Sequence, residues 1–315
     1  MYHLGIDIGG TFVKMGLVSP EGTIIAKKSV KTNFDCGYAM TIREIAEAAI
    51  DLTESMGLNI KDLGGVGIGV PGSVHEGTVT FANNLKWMNV PVVQEFKRYL
   101  DTKIEADNDA NCAVWGEYIV GAAKPYNNVL LITLGTGLGS GFIVNGKIMS
   151  GFHGAGSEGG HIVIKSGGLD CNCGRRGCYE QYAATTAMIR LTNESIKAHP
   201  DGVLAKLKEK AGEVNGFTLF DGVRAGDKIA REVLDGYIND VAEGLVNLVN
   251  IMRPEIVLIG GGISNEEELL INPLEEIVNR YAYGGDLNPH VSVKKALLGN
   301  NAGTVGAACL TMQKK

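Results

Sequence analysis

The sequence has no long apolar run, no basic stretch and no disulfide framework. No uninterrupted hydrophobic segment approaches the roughly 20 residues of a membrane-spanning helix. The opening MYHLGIDIGGTF lacks a basic region followed by an apolar core, so no leader is expected and the cytoplasm is the default compartment. Lys and Arg number 29 against 35 Asp and Glu, a net charge of −6, and no basic cluster interrupts the chain. An extended nucleic-acid surface is therefore not expected, nor a membrane partner. Six cysteines in 315 residues make no disulfide scaffold. The Walker A pattern GxxxxGK[ST] is also missing. What remains is an ordinary globular composition, 45% hydrophobic and 20% charged, at a length that suggests two domains with real cores.

Apolar strands are expected over residues 2–8, 13–18 and 24–31, a helix over 40–56 stopped at Gly57, and a strand over 66–70 closed by Pro71-Gly72. Residues 92–100 read as helical. IEADND leads from a strand into a helix that begins near Ala110. This order makes an α/β layered domain. The plan then recurs: VLLITLGTGLGSGFIVNGKI repeats the strand, glycine turn and strand of LGIDIGGTFVKMGLV. A long helix over 227–252, a strand over 256–259, Gly260-Gly261-Gly262 and a helix near 266–282 complete a second half. The expected division is 1–120 and 121–302, with the boundary near 121–128 and the C-terminal stretch 303–315 folding back onto the first half.

Three glycine turns follow apolar strands. Asp7-Ile8-Gly9-Gly10-Thr11, with Lys14 beyond it, lets backbone N–H groups approach a phosphate, with Asp7 placed to orient Mg2+ or its waters. A plain tight hairpin is the structural alternative. Gly135-Thr136-Gly137-Leu138-Gly139-Ser140-Gly141 has the same character, although neither Gly135 nor Gly137 starts a G-x-G-x-x-G pattern. Gly261 and Gly262 permit close approach of a flat ligand or of a helix. In Asp107-Asn108-Asp109-Ala110-Asn111 a calcium loop is excluded, because Cys112 and Tyr118 stand where its glycine and bidentate glutamate belong. Either a helix N-cap or a carboxylate that accepts a proton from a hydroxyl nucleophile fits this turn.

The densest signal is EGGHIVIKSGGLDCNCGRRGCYE, residues 158–180. His161, Cys171, Cys173 and Cys178 are the donor set of a closed tetrahedral zinc site, with no open position for activating water. Glu158 and Glu180 are spare carboxylates, suited to a polar pocket. Cys36, Cys112 and Cys309 are expected to be small buried or half-buried residues. His3, His75, His199 and His290 are expected to be isolated surface groups, and His153 a pocket-lining or surface group.

DIGGT, DNDAN, LGTGLGSG, EGGH and CNCGRRGCYE, in this order, resemble the ROK family of repressors and sugar kinases across essentially the whole chain. Within it, the similarity is greatest to the bacterial ATP-dependent kinases of glucose. The resemblance implies two ribonuclease-H-like α/β domains of the actin, hexokinase and Hsp70 superfamily around a central cleft. It implies transfer of the γ-phosphoryl group of ATP to the 6-hydroxyl of glucose. N-acetylmannosamine, N-acetylglucosamine, allose and fructose are alternative sugars. Residue by residue, it implies Asp109 as general base, and Asn84, Asn108, Glu158, His161 and Glu180 against the sugar. It places Gly9, Gly10, Thr11, Gly135, Thr136 and Gly137 at phosphate, and Gly261 and Gly262 at adenosine. ATP, Mg2+ and a structural Zn2+ are the implied cofactors, and a homodimer or tetramer the implied assembly. The family motif usually has an apolar residue where this chain has Gly159. A family repressor is disfavoured, since those carry a helix-turn-helix ahead of the kinase-like body and Asp7 lies almost at the first residue.

Overall fold

The computed structural model of the chain describes residues 1–31 and 36–312. Two compact units emerge. One comprises Met1–Leu131, Gly141–Ser157 and Leu297–Lys315; the other comprises Ile132–Ser140 and Glu158–Ala296. The last three residues of the stretch 303–315 lie outside the described residues.

The first unit starts as an antiparallel meander, β1 (His3–Ile8), β2 (Phe12–Val18) and β3 (Ile24–Lys31). After α1 (Tyr38–Glu54) comes β4 (Val66–Val70). Then follow β5 (Ser73–His75), β6 (Thr78–Ala82), β7 (Trp87–Val90), α2 (Val92–Lys97), β8 (Ile104–Asn108) and α3 (Asp109–Ile119). The main sheet runs β3-β2-β1-β4-β8, with β1, β4 and β8 parallel. Helix α1 forms because Ile42, Ile45, Ala46, Ala49 and Leu52 recur at helical spacing, and it buries that stripe in the core that Ile6, Met15, Leu17 and Ile68 share.

The chain passes from unit to unit within β9 (Val129–Leu134) and β10 (Leu138–Val144), and β11 (Lys147–Ile148) follows. The second unit continues with α4 (Glu180–Ala183), α5 (Thr185–Ala198), α6 (Val203–Ala211), α7 (Thr218–Arg224) and α8 (Lys228–Met252). It then adds β12 (Ile256–Gly260), α9 (Asn272–Tyr281) and β13 (Ser292–Lys295). A second sheet has the order β11-β10-β9-β12-β13, with β12 and β13 parallel. Helix α8 starts at Asp227, whose carboxylate caps the Ile229 N–H at 3.0 Å, and it ends at Arg253 in the left-handed region.

The last helix, α10 (Ala302–Cys309), belongs to the first unit and lies on β1, β4 and α3. Three glycines explain how it fits. Gly16, Gly5 and Gly67 stand in register across β2, β1 and β4, leaving a row without side chains. A Cβ on Gly5 would lie 1.8 Å from the Thr304 carbonyl oxygen, and one on Gly67 would lie 1.7 Å from that of Ala307. Gly67, Gly69 and Gly72 happen to have G-x-G-x-x-G spacing, yet they serve packing: Gly69 faces Cys112 of α3 and Gly72 faces the Phe81 backbone.

Several expectations need correction. The helix expected over 92–100 stops at Lys97, and the one near 266–282 opens with a wide π turn over Glu267–Ile271. The three-stranded sheet β5-β6-β7 was not anticipated. Its strands are short, and its first hairpin places Glu76 (φ 47°) and Gly77 (φ 74°) in left-handed conformations where Asn-Gly is the usual signal. Cys36 is exposed rather than buried, whereas Cys112 and Cys309 are buried. Three histidines are not isolated: His3 is half-buried with Nδ1 2.7 Å from Thr311 Oγ1, the His75 ring lies 4.4 Å from that of His153, and the exposed His290 has Nε2 2.6 Å from Glu275 Oε1.

A methyl group at Gly67 must push α10 off the sheet. Overpacking of this kind costs about 1–3 kcal/mol or more. Gly67→Ala is expected to lower the urea midpoint by at least that equivalent, whereas Gly10→Ala, at an open position, should leave it nearly unchanged; equal midpoints would refute the close approach.

Candidate functional site

In the first unit the polar residues gather at the C-terminal edge of the parallel strands. Asp7, Gly69 and Asp107 share one register row across β1, β4 and β8, so two carboxylates flank a position without a side chain. Burial raises the Asp7 pKa, and the Lys14 ammonium on the neighbouring strand opposes the shift. Burial also raises Asp107, against hydrogen bonds from Asn111 Nδ2 at 2.9 Å and the Asn108 N–H at 2.7 Å. The buried Cys112 thiol has its pKa driven well up, first by its burial and then by the charge of Asp107, Asp7 and Asp109. Asp107 was not singled out from sequence, although it stands inside the motif that was.

Asn108 caps α3: its Oδ1 accepts the Ala110 N–H at 2.8 Å and the Asn111 N–H at 3.1 Å, and its Nδ2 donates to the Gly72 carbonyl at 3.1 Å. Both acceptor lone pairs are used and one Nδ2 hydrogen remains. The capping alternative thus holds for Asn108, and Asp109 occupies the first helical position, half-buried, with Oδ1 2.8 Å from the Ala110 N–H. The Gly9 turn closes by its N–H on the Phe12 carbonyl at 3.0 Å, leaving Gly10, Thr11 and Lys14 exposed. Asn84 is exposed in a short helical turn between β6 and β7.

In the second unit, the turn between β9 and β10 closes by the Gly135 N–H on the Gly137 carbonyl at 3.0 Å. The start of α5 ties it down: Thr185 Oγ1 donates to the Leu134 carbonyl at 3.0 Å, and Thr186 Oγ1 to that of Thr136 at 2.9 Å. Gly261 sits against the end of β9, with room for no Cβ, since one would lie 2.1 Å from the Leu134 oxygen. Glu180 Oε2 accepts the Leu138 N–H at 2.9 Å. Gly160 and Gly159 pack on the same strand, the latter donating its N–H to Ser140 Oγ at 2.8 Å. A side chain at 159 would meet that hydroxyl at 2.7 Å, so here Gly159 and Ser140 go together. Desolvation raises the Glu158 carboxyl, nearby His161 opposes the shift, and the Glu180 carboxylate adds to it.

The cysteine loop folds on its glycines. Gly177 is left-handed at φ 83° and lies against the Lys165 carbonyl, while the Cys171 N–H donates to the Arg175 carbonyl at 2.9 Å. His161, Cys171, Cys173 and Cys178 converge so that one donor atom from each lies within 4.8 Å of all the others. His161 Nδ1 is 3.7 Å from Cys171 Sγ, and Cys173 Sγ is 3.6 Å from Cys178 Sγ. Zinc–sulfur bonds of about 2.3 Å at tetrahedral angles put sulfurs about 3.8 Å apart, so the four fit a closed zinc site. Burial and the neighbouring thiols push Cys178 up to about 12, a penalty that a bound dication removes by holding the thiolate. The segment is anchored at its end by Tyr179, fully buried, whose hydroxyl donates to the Val241 carbonyl of α8 at 2.6 Å.

A model of the ROK family matches residues 3–314, and the chain belongs to that family. The glucokinase of Thermotoga maritima is 35% identical, over 99% of this chain and 97% of its own. The glucokinase of Streptomyces coelicolor is 35% identical, over 98% and 97%. Among solved structures, a ROK family glucokinase from Streptomyces griseus in complex with glucose and AMPPNP aligns with a TM-score of 0.83 at 34% identity, covering 98% of this chain and 99% of that one. The fold is thus the actin- and hexokinase-like α/β fold of these kinases. No helix among the described residues is long and apolar enough to cross a membrane.

Two outcomes test these features. A carboxylate whose folded pKa lies above its ordinary 3.8 destabilises the fold once ionised, and the penalty disappears as pH falls toward that value. Asp7→Asn is therefore expected to raise the urea midpoint at pH 7, with the gap to the parent closing near pH 4. A lower midpoint at pH 7 would mean that Lys14 outweighs burial. Elemental analysis of the purified protein should find about one zinc per chain, lost in Cys173→Ser; zinc retained in that variant would reject this ligand set.

Proposed function

We propose that the protein is an ATP-dependent kinase of glucose that transfers the γ-phosphoryl group to the sugar's 6-hydroxyl. The observation that carries this reading is Asp109, a half-buried carboxylate at the first position of α3, in a chain similar along nearly its whole length to proteins named glucokinase. The two glycine turns after β1 and β9 suit a polyphosphate, whose backbone contacts need no side chains.

Phosphoryl transfer asks a protein mainly for positioning and charge stabilisation. Asp109 accepts the proton of the 6-hydroxyl as its oxygen bonds to the γ-phosphorus and the bond from that phosphorus to the bridging oxygen of ADP breaks. Asn108 presents its remaining amide hydrogen, and Glu158, His161 and Glu180 offer the acceptors and donors that a polyol requires. Asp7 would hold Mg2+ or its waters, and that ion would supply neutralising charge for the phosphates. His161, Cys171, Cys173 and Cys178 would hold zinc through the His161 Nδ1 face, which leaves Nε2 for a sugar hydroxyl and fixes the ring's orientation. N-acetylmannosamine, N-acetylglucosamine, allose and fructose are the competing substrates, and a ROK-type regulator is the competing class.

A coupled ADP-release assay with ATP, Mg2+ and a panel of hexoses and N-acetylhexosamines tests the reading. Glucose is expected to give the highest kcat/KM. Asp109→Asn is expected to lower kcat by at least about a hundredfold while glucose binding stays measurable by calorimetry. No sugar-stimulated ADP release from the parent would sink the kinase reading, and near-normal turnover of Asp109→Asn would sink the base.

A further inference from the structure

The carboxylate of Glu180 reaches the turn between β9 and β10. Its Oε2 takes the Leu138 N–H, and a Cβ on Gly137 would stand 2.4 Å from that same oxygen. The backbone leading to it is pinned. Glu180 opens α4 two residues after Cys178, and the intervening Tyr179 is fully buried and bonded to α8. Gly244 of α8 makes room for that ring, for a Cβ there would be 2.3 Å from it.

Leu138 is gripped from a second side. A Cβ on Gly160 would lie 2.2 Å from the Leu138 carbonyl oxygen, and Gly159 bonds Ser140 two residues on. The segment that carries the cluster of thiols thus bonds the Leu138 N–H and packs closely on its carbonyl, while Thr185 and Thr186 bond the Leu134 and Thr136 carbonyls. A glycine-rich turn free of such ties would lose much conformational entropy on ordering around a ligand. Of the two Glu180 oxygens, Oε1 has no hydrogen bond among the described residues, and the Glu180 carboxylate as a whole raises the Glu158 carboxyl.

On the phosphotransferase reading above, we infer that Glu180 is a positioning residue for the donor phosphates. One oxygen keeps the Gly135–Leu138 turn in its binding shape, and the other is left for the sugar. Glu180 then acts on ATP through Leu138 and on sugar directly, so that occupancy of one site orders a group that serves the other.

The test is calorimetric titration of the metal-loaded, full-length protein with AMPPNP and Mg2+, with and without glucose. Glu180→Ala is expected to weaken AMPPNP binding about tenfold without sugar, as loss of a charge-assisted hydrogen bond predicts. Glu180→Gln keeps an oxygen for the Leu138 N–H and is expected to restore AMPPNP affinity to within about threefold while its KM for glucose rises. Glu180→Asp, which keeps the charge but withdraws the carboxylate from the Leu138 N–H, should reproduce the AMPPNP loss with full metal content; it carries the test where Glu180→Ala does not fold. Unchanged or tighter AMPPNP binding in Glu180→Ala, with only glucose KM affected, would overturn the inference and leave Glu180 as a sugar reader. A parent protein that binds neither AMPPNP nor glucose would instead overturn the functional reading beneath it.

Discussion

A helix laid on a sheet with nothing between them is the constraint on which the first unit depends. Gly16, Gly5 and Gly67 remove the side chains from one register row, and α10 settles there at backbone contact. Gly306 of that helix in turn sits against the Cys112 carbonyl of α3, where a Cβ would be 1.8 Å away. The position of α3, and with it that of Asp109 at its first turn, follows from this stacking. Gly303 lies over Asp7, so the same helix encloses the carboxylate and raises its pKa. A desolvated acid is an unfavourable feature for stability, and such features are common where chemistry is done.

The second unit uses a different device to the same end. Its glycine turn is held by hydrogen bonds, from Thr185, Thr186 and Glu180, and by close packing of Gly160. The thiol and imidazole cluster anchors the segment from which two of those contacts come. The four candidate ligands, Glu158 and Glu180 are thereby tied to the Gly135–Leu138 turn through one short stretch of packed backbone. A displacement of the cluster is expected to be felt along that whole stretch, since interiors transmit displacement.

Much of this was legible beforehand. The strands after which glycines fall, the capped start of α3 and the cysteine spacing are local signals, set by dihedral preference, capping chemistry and ligand number. The three-stranded sheet β5-β6-β7 was hidden because a glutamate occupies a left-handed turn position that usually advertises itself with asparagine. Whether Asn108 or Asp109 caps α3 is left open by the residues alone, and only the distances to Ala110 and Asn111 assign the cap to Asn108. His3 read as an isolated surface group because its partner, Thr311, is over three hundred residues away.

The amino-acid sequence by itself determined the α/β class, the strand-and-glycine-turn plan of both halves, the family and the candidate groups, because each rests on residues adjacent in the chain or at short fixed spacing. Only the tertiary structure decided which glycines serve packing and which serve a turn, that Asp107 shares a row with Asp7, and that Glu180 faces Leu138. Those facts depend on pairs brought together from distant positions. No local pattern of side chains encodes where a helix from the C-terminus will find a strand from the N-terminus bare.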